Sequence, residues 1–333
     1  MTNFDDFTVK NLKLFMEKRN NEILVGLKEL RNQVNTSKNL NIKYKIIPYE
    51  ISIDKIKKLI DSQWVDQEVL NSLDNLKANY KIIWTYKGNN NTIYLKSTIE
   101  KYDSFKQRLP VLLNVLNFIY DKKKTNEKRP LKLYLILTPL KKFIDDGIVG
   151  TKNINTGYTD FYSNEILIWR EEEFEKVIFH EMVHYMDLDV RNMAFSDKDF
   201  PIEIDGPKLY FEAFTDFWGI VYHLIYLSII TKKSVDSLFQ VEYQFIKNQA
   251  NFMNNKFKLD DWKNKQKIKQ NSPAFSYYIL KYLIINKILE NKSLDIIINN
   301  NAKELLTTIF KEKFTQEPFI NTNSGRMTLF QLY

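Results

Sequence analysis

The stretch from Gly150 to Tyr185 constrains the fold more than any other part of the chain. Thr156 to Tyr162 and Glu165 to Arg170 read as strands, and Ser163-Asn164 between them is turn chemistry, so a hairpin is expected there. The hairpin feeds a helix whose buried face is supplied by Phe174, Val177, Ile178, Met182 and Val183. Glu171-Glu172-Glu173 places negative charge at the amino end of that helix, where the macrodipole favours it. On this helix lies His180-Glu181-Met182-Val183-His184. Residues four apart project from one helix face, so His180 and His184 can present ring nitrogens to one tetrahedral ion. Glu181 stands beside the pair, where it can take a proton from a metal-bound water and return one to a leaving amine.

Such a pattern is rarely accidental. With 3 histidines in 333 residues, a chance HExxH is expected in about one such chain in several hundred. The remaining histidine, His223, reads mainly as a buried core residue, although it lies seven residues after Asp216 on the same face.

A metal site of this kind needs a third protein ligand. Val190 stands where a third histidine six residues after His184 would lie, which excludes the metzincin arrangement. Glu212, in Tyr210-Phe211-Glu212-Ala213-Phe214-Thr215-Asp216, is the best candidate, with Asp187 and Asp189 as rivals. Glu212 and Asp216 share a helix face, so one carboxylate can ligate the ion while the other accepts an N–H from a ligating imidazole. Both sit in or beside an apolar helix, where an unpaired charge is costly and a metal site compensates it. The plainer alternative places them at the exposed end of that helix.

The order HExxH followed by a helix bearing ExxxD resembles the gluzincin clan of zincin metallopeptidases, over about residues 150 to 226. The resemblance implies that His180, His184 and Glu212 bind Zn2+, that Glu181 is the general base, and that Asp216 orients a histidine ligand. It implies that Thr156 to Tyr162 is an edge strand along which an extended peptide or protein substrate lies. It also suggests an oxyanion-stabilising tyrosine from outside the ligand helices, for which Tyr278 is the first choice and Tyr277 the second, against the reading of both as core aromatics. Composition and Phe275-Ser276-Tyr277-Tyr278 look similar to zincin-like proteins of large DNA viruses. The interval between His184 and Glu212 differs from that of several gluzincin families.

The expected fold is α+β and zincin-like, a small mixed β-sheet with the active-site helix plus a largely α-helical carboxy-terminal lobe. Residues 1–125 are expected to form an amino-terminal helical and β-hairpin region, and 126–333 the catalytic region, with sheet and HExxH helix in 130–204 and helices in 205–333. In the first part, one helix is expected over residues 5–34, an extended stretch near Ile42 to Ile47, and helix from Ile53 to Leu76. Tyr80 to Tyr86 and Thr92 to Lys96 flank Gly88-Asn89-Asn90-Asn91 as a hairpin. A helix from Thr98 to Tyr120 carries Pro110, which should kink or split it. Leu131 to Leu137 is a strand between prolines, and helices are expected over residues 208–231, 235–251, 272–290 and 302–314.

Composition bounds the rest. Hydrophobic residues at 44% supply a sizeable core. The net charge of +8, concentrated in runs such as Lys122-Lys123-Lys124 and Lys256 to Lys269, reads as a solvated surface, without a spacing that reads a nucleic-acid groove. The absence of cysteine excludes disulfides and thiolate ligands and, with an acidic start that lacks a secretion signal, points to the cytoplasm or a virion. The apolar run Phe217 to Ile230 falls short of the ~20 residues that cross a bilayer and reads as a buried helix.

Two rivals remain. A catalytically inactive zincin-like binding module has no physical need for Glu181. A di-iron bundle needs a second Glu-x-x-His, and Ile220 stands three residues before His223.

Overall fold

The computed structural model describes residues 4–18, 24–36, 42–122, 129–191, 202–259, 266–291, 302–311 and 314–333. The lysine-rich connector at 123–128 and the central part of the second lysine run, 260–265, lie outside these. In chain order the elements are α1 (Asp6–Glu17), α2 (Leu27–Thr36), β1 (Tyr44–Pro48), α3 (Ile53–Ile60), a 3-10 helix (Gln67–Asn75), β2 (Ala78–Tyr86), β3 (Asn89–Ser97), α4 (Ile99–Lys122) and β4 (Lys132–Thr138). Then follow α5 (Thr151–Ile154), β5 (Gly157–Asp160), β6 (Glu165–Arg170), α6 (Phe174–Tyr185), β7 (Ile202–Asp205), α7 (Glu212–Thr231) and α8 (Val235–Phe257). Last come β8 (Gln266–Lys269), a π-helix (Phe275–Leu280), α9 (Lys281–Asn291) and α10 (Ala302–Lys311).

The fold is mixed α+β. Its main sheet has six strands in the order β1-β2-β3-β4-β6-β5, with β3–β4 and β4–β6 parallel and the other pairs antiparallel. β5 is therefore an edge strand. The division expected at residue 125 runs through this sheet, since β3 and β4 lie on either side of it and pair from Thr92↔Lys132 to Lys96↔Ile136. Main-chain pairing thus joins the amino-terminal hairpin to the strands that precede the HExxH helix.

Helices cover one face of the sheet, and α3 with the 3-10 helix packs on the other, where Ile56, Leu59, Val69 and Leu73 meet Ile136, Leu167 and Trp169. α7 packs on α6, and α8 and α9 pack in turn on α7. Every residue of α6 is buried, so its two ends and both sides are spoken for. Arg170, 1% exposed, ties the sheet to its surroundings by donating to Asp66, Asn155, Lys141 and Lys152.

Several local expectations change. The first helix is two, because Gly26 takes a left-handed φ of 93° just before α2. Ile53 to Leu76 divides into α3 and the 3-10 helix, at Asp61 and the turn that follows. α4 runs through Pro110 without splitting, with the ring on an exposed face. The β2–β3 turn is Lys87-Gly88, with φ of 47° and 78°, and Asn89, Asn90 and Asn91 belong to the strand, paired with Tyr86, Thr85 and Trp84. Pro273 precedes a π-helix rather than an α-helix. A separate two-stranded parallel sheet, β7 with β8, had no counterpart in the sequence reading.

Among the described residues one helix, α7, is long and apolar enough to cross a membrane by length and composition, and 83% of its most apolar window is buried inside the fold.

Candidate metal centre

α6 and α7 pack against each other at Gly219. A Cβ there would lie 3.1 Å from the His180 Cβ and 3.2 Å from its Cα, so only glycine admits this approach without a shift. The crossing puts the first turn of α7 opposite the HExxH face of α6. His180 Nε2 and His184 Nε2 are 3.2 Å apart, and Glu212 Oε2 lies 3.1 Å from the first and 3.3 Å from the second. All these side chains are buried. A tetrahedral ion with bonds of about 2.0–2.1 Å has ligand-to-ligand edges of about 3.3 Å, so this nitrogen, nitrogen, oxygen triangle fits such an ion.

Each imidazole is held from behind. His180 Nδ1 lies 3.1 Å from Asp216 Oδ1, and His184 Nδ1 lies 2.6 Å from Asp189 Oδ2. Asp216 thus stands where the sequence reading put it. Asp189, a rival ligand by sequence, instead lies behind the His184 ring and is itself held by Arg191 Nε at 2.8 Å. Asp187 is largely exposed, pairs with Arg191 and does not join the triangle.

Charge in the cluster is distributed unevenly. Burial pushes His180 down to about 3, helped by the charge on His184. Burial also acts to lower His184, but Glu212, Asp189 and Glu181 overcome it and raise the ring to about 10. Glu212 is held well below the usual carboxylate range, because His184 and His180 outweigh the effect of burial.

Glu181 points toward β5, where its Oε2 accepts from Thr159 Oγ1 at 2.8 Å. Burial, with Glu212 adding to it, raises this carboxyl to about 7. Gly157 lets β5 come close, since a Cβ there would meet Val177 at 2.7 Å and the Glu181 Cγ at 3.2 Å. A cavity of about 160 Å3 opens over the cluster, with Gly157, Tyr158 and Thr159 of β5 on one side and Trp64, Phe161 and Phe211 among the aromatic walls.

The tyrosine choice is corrected. Tyr278 is 1% exposed and spends its hydroxyl on the Gly325 carbonyl at 2.7 Å, away from the cluster. Its neighbour Tyr277 lines the cavity and donates to Glu212 Oε2 at 3.2 Å. Adjacent helical residues point in different directions, and the π-helix turns Tyr277 rather than Tyr278 toward the site. His223 is buried near Tyr226, with no hydrogen bond to Nδ1 among the described residues, and takes no part. Arg326 is buried, paired with Glu172 and Asp5.

No family model matches the chain, and no solved structure matches it. It is similar to uncharacterized protein R210 of Acanthamoeba polyphaga mimivirus, 32% identical over 96 residues that make up 27% of this chain and 24% of that protein. The match thus spans about a quarter of that relative's length.

Proposed function

We propose that the protein is a zinc-dependent metallopeptidase with a zincin-like fold of gluzincin type, hydrolysing peptide bonds in a peptide or protein substrate. The observation that carries this reading is the donor triangle of His180, His184 and Glu212, with sides of 3.1 to 3.3 Å. These residues would hold the ion, and zinc when bound supplies a Lewis acid that polarises a carbonyl and acidifies water. Asp216 and Asp189 hold the two rings so that their Nε2 atoms face inward.

Glu181 acts as the general base and then returns the proton to the leaving amine, a role suited to a carboxyl raised to about 7. Thr159 fixes that carboxyl from the edge strand. The Tyr277 hydroxyl is the donor best placed to meet the developing oxyanion. The free edge of β5 supplies main-chain groups to which an extended substrate adds as a further strand. The match to a mimivirus protein supports a virion or host-cytoplasm setting.

Glu181→Gln tests the assignment. The variant should retain metal and lose hydrolysis of a fluorogenic peptide library by at least about a hundredfold. Equal turnover by variant and wild type would remove Glu181 as the base.

A further inference from the structure

Side chains four residues apart recur on each helix around the centre and form two layers. α6 contributes Lys176, His180 and His184, α7 contributes Glu212 and Asp216, and the π-helix running into α9 contributes Tyr277 and Lys281. The outer layer is the donor triangle with Tyr277. The inner layer is Asp216 between two ammonium groups. Lys281 Nζ lies 2.7 Å from Asp216 Oδ2, and Lys176 Nζ binds Oδ1, the oxygen that also faces His180 Nδ1. His180 spans both layers, with one ring nitrogen in each.

The inner layer is sealed. Lys176, Asp216 and Lys281 have side-chain exposures of 1%, 0% and 1%. The buried carboxylates of Glu173 and Glu242 also act on these two lysines, but among the hydrogen bonds only Asp216 is held at both oxygens by the pair, and a buried ion cluster is by itself a poor source of stability because each ion must be desolvated. The arrangement makes sense as a means of fixing Asp216. One oxygen is left to His180 and Lys176, while Lys281 holds the other and anchors itself on the Met327 carbonyl at 3.1 Å. A carboxylate bound at both oxygens cannot rotate away from the imidazole.

We infer that Lys281 is a positioning residue of the metal centre, acting through Asp216 to fix the His180 ring. This rests on the metal-site reading. Because Tyr277 and Lys281 lie on one continuous helical segment, the same element sets the outer hydroxyl and the inner cation.

The test uses the full chain, with zinc affinity measured by chelator competition and ligand geometry by the visible spectrum of the Co2+-loaded protein. Lys281→Met should bind zinc about tenfold more weakly, the lower end of what loss of an outer partner costs, and its Co2+ bands should shift. In an Asp216→Asn background the same substitution should cause no further loss, since the path through Asp216 is already cut. Lys281→Gln serves as the second variant. Wild-type affinity and spectrum in the variants, or an equal loss in both backgrounds, overturns the inference. Failure of both variants to fold makes Lys281 a structural cation and overturns it as well. A wild-type chain that binds neither metal removes the metal-site reading itself, a result distinct from the others because it appears before any variant is made.

Discussion

His184 Nδ1 and Asp189 Oδ2 lie 2.6 Å apart, although Asp189 is five residues further on and beyond the end of the helix that carries the histidine. The chain returns because Asp187, at φ 51°, ends α6 in the left-handed region, and Arg191 then binds both Asp189 and the His184 carbonyl. Both rings of the centre therefore have a carboxylate behind them, one supplied by a later helix and one by the helix's own exit.

Asp189→Asn should lower zinc affinity by about 10- to 100-fold, the usual consequence of removing a carboxylate behind a ligating imidazole. Titration against a chelator checks this. If Asp189 were itself a ligand, the variant would instead alter the number of protein oxygens on the metal, which X-ray absorption distinguishes.

Tyr277→Phe and Tyr278→Phe should separate cleanly. The first removes the hydroxyl that reaches the cavity and should reduce kcat by about 10²-fold or more, with KM little changed. The second removes a hydrogen bond to the Gly325 carbonyl and should cost about 1 kcal/mol or more of stability, with kcat preserved in the folded protein. Steady-state kinetics beside thermal unfolding would show the reverse pattern if Tyr278 were the oxyanion donor.

Acid should destabilise the fold through Glu173. This residue opens α6 at φ 61°, accepts from the Met327 and Thr328 amides at 2.6 Å each, and binds Lys142. Burial acts to raise its pKa, but Lys142, Lys176 and Arg326 overcome it and hold the carboxyl below its ordinary value. A depressed folded-state pKa means that its stabilisation is complete above the unfolded-state value, near 4.3–4.5, and is lost as pH falls through the folded-state value. Denaturant titrations of the metal-free protein should therefore show Glu173→Gln less stable than wild type at pH 7, with the difference between the two constant down to about pH 4.5 and shrinking below it. Parallel slopes would remove Glu173 from the acid response.

The sequence revealed what local geometry determines. His180 and His184 share a face by helical repeat alone, and Glu212 and Asp216 stood out because ionised groups in an apolar helix need partners. Sequence alone leaves Tyr277 second to Tyr278, because nothing in Phe275 to Leu280 distinguishes a π-helix from an α-helix. Asp189 reads in sequence only as a rival ligand, since its place behind His184 depends on the backbone turn at Asp187. Lys176 and Lys281 carry no sequence signal, because in a chain with 49 lysines and arginines a lysine reads as solvent-facing. The pairing of β3 with β4 and of β7 with β8 joins segments distant in sequence, for which periodicity carries no signal.

Metal content of the protein, purified without chelators and measured by elemental analysis alongside Glu212→Ala, is the most direct test of the centre. The wild type should carry about one zinc per chain, and the variant should bind it far more weakly because one corner of the triangle is gone. A metal-free wild type, or a Glu212→Ala chain that holds zinc as tightly as the parent, would contradict the site described above.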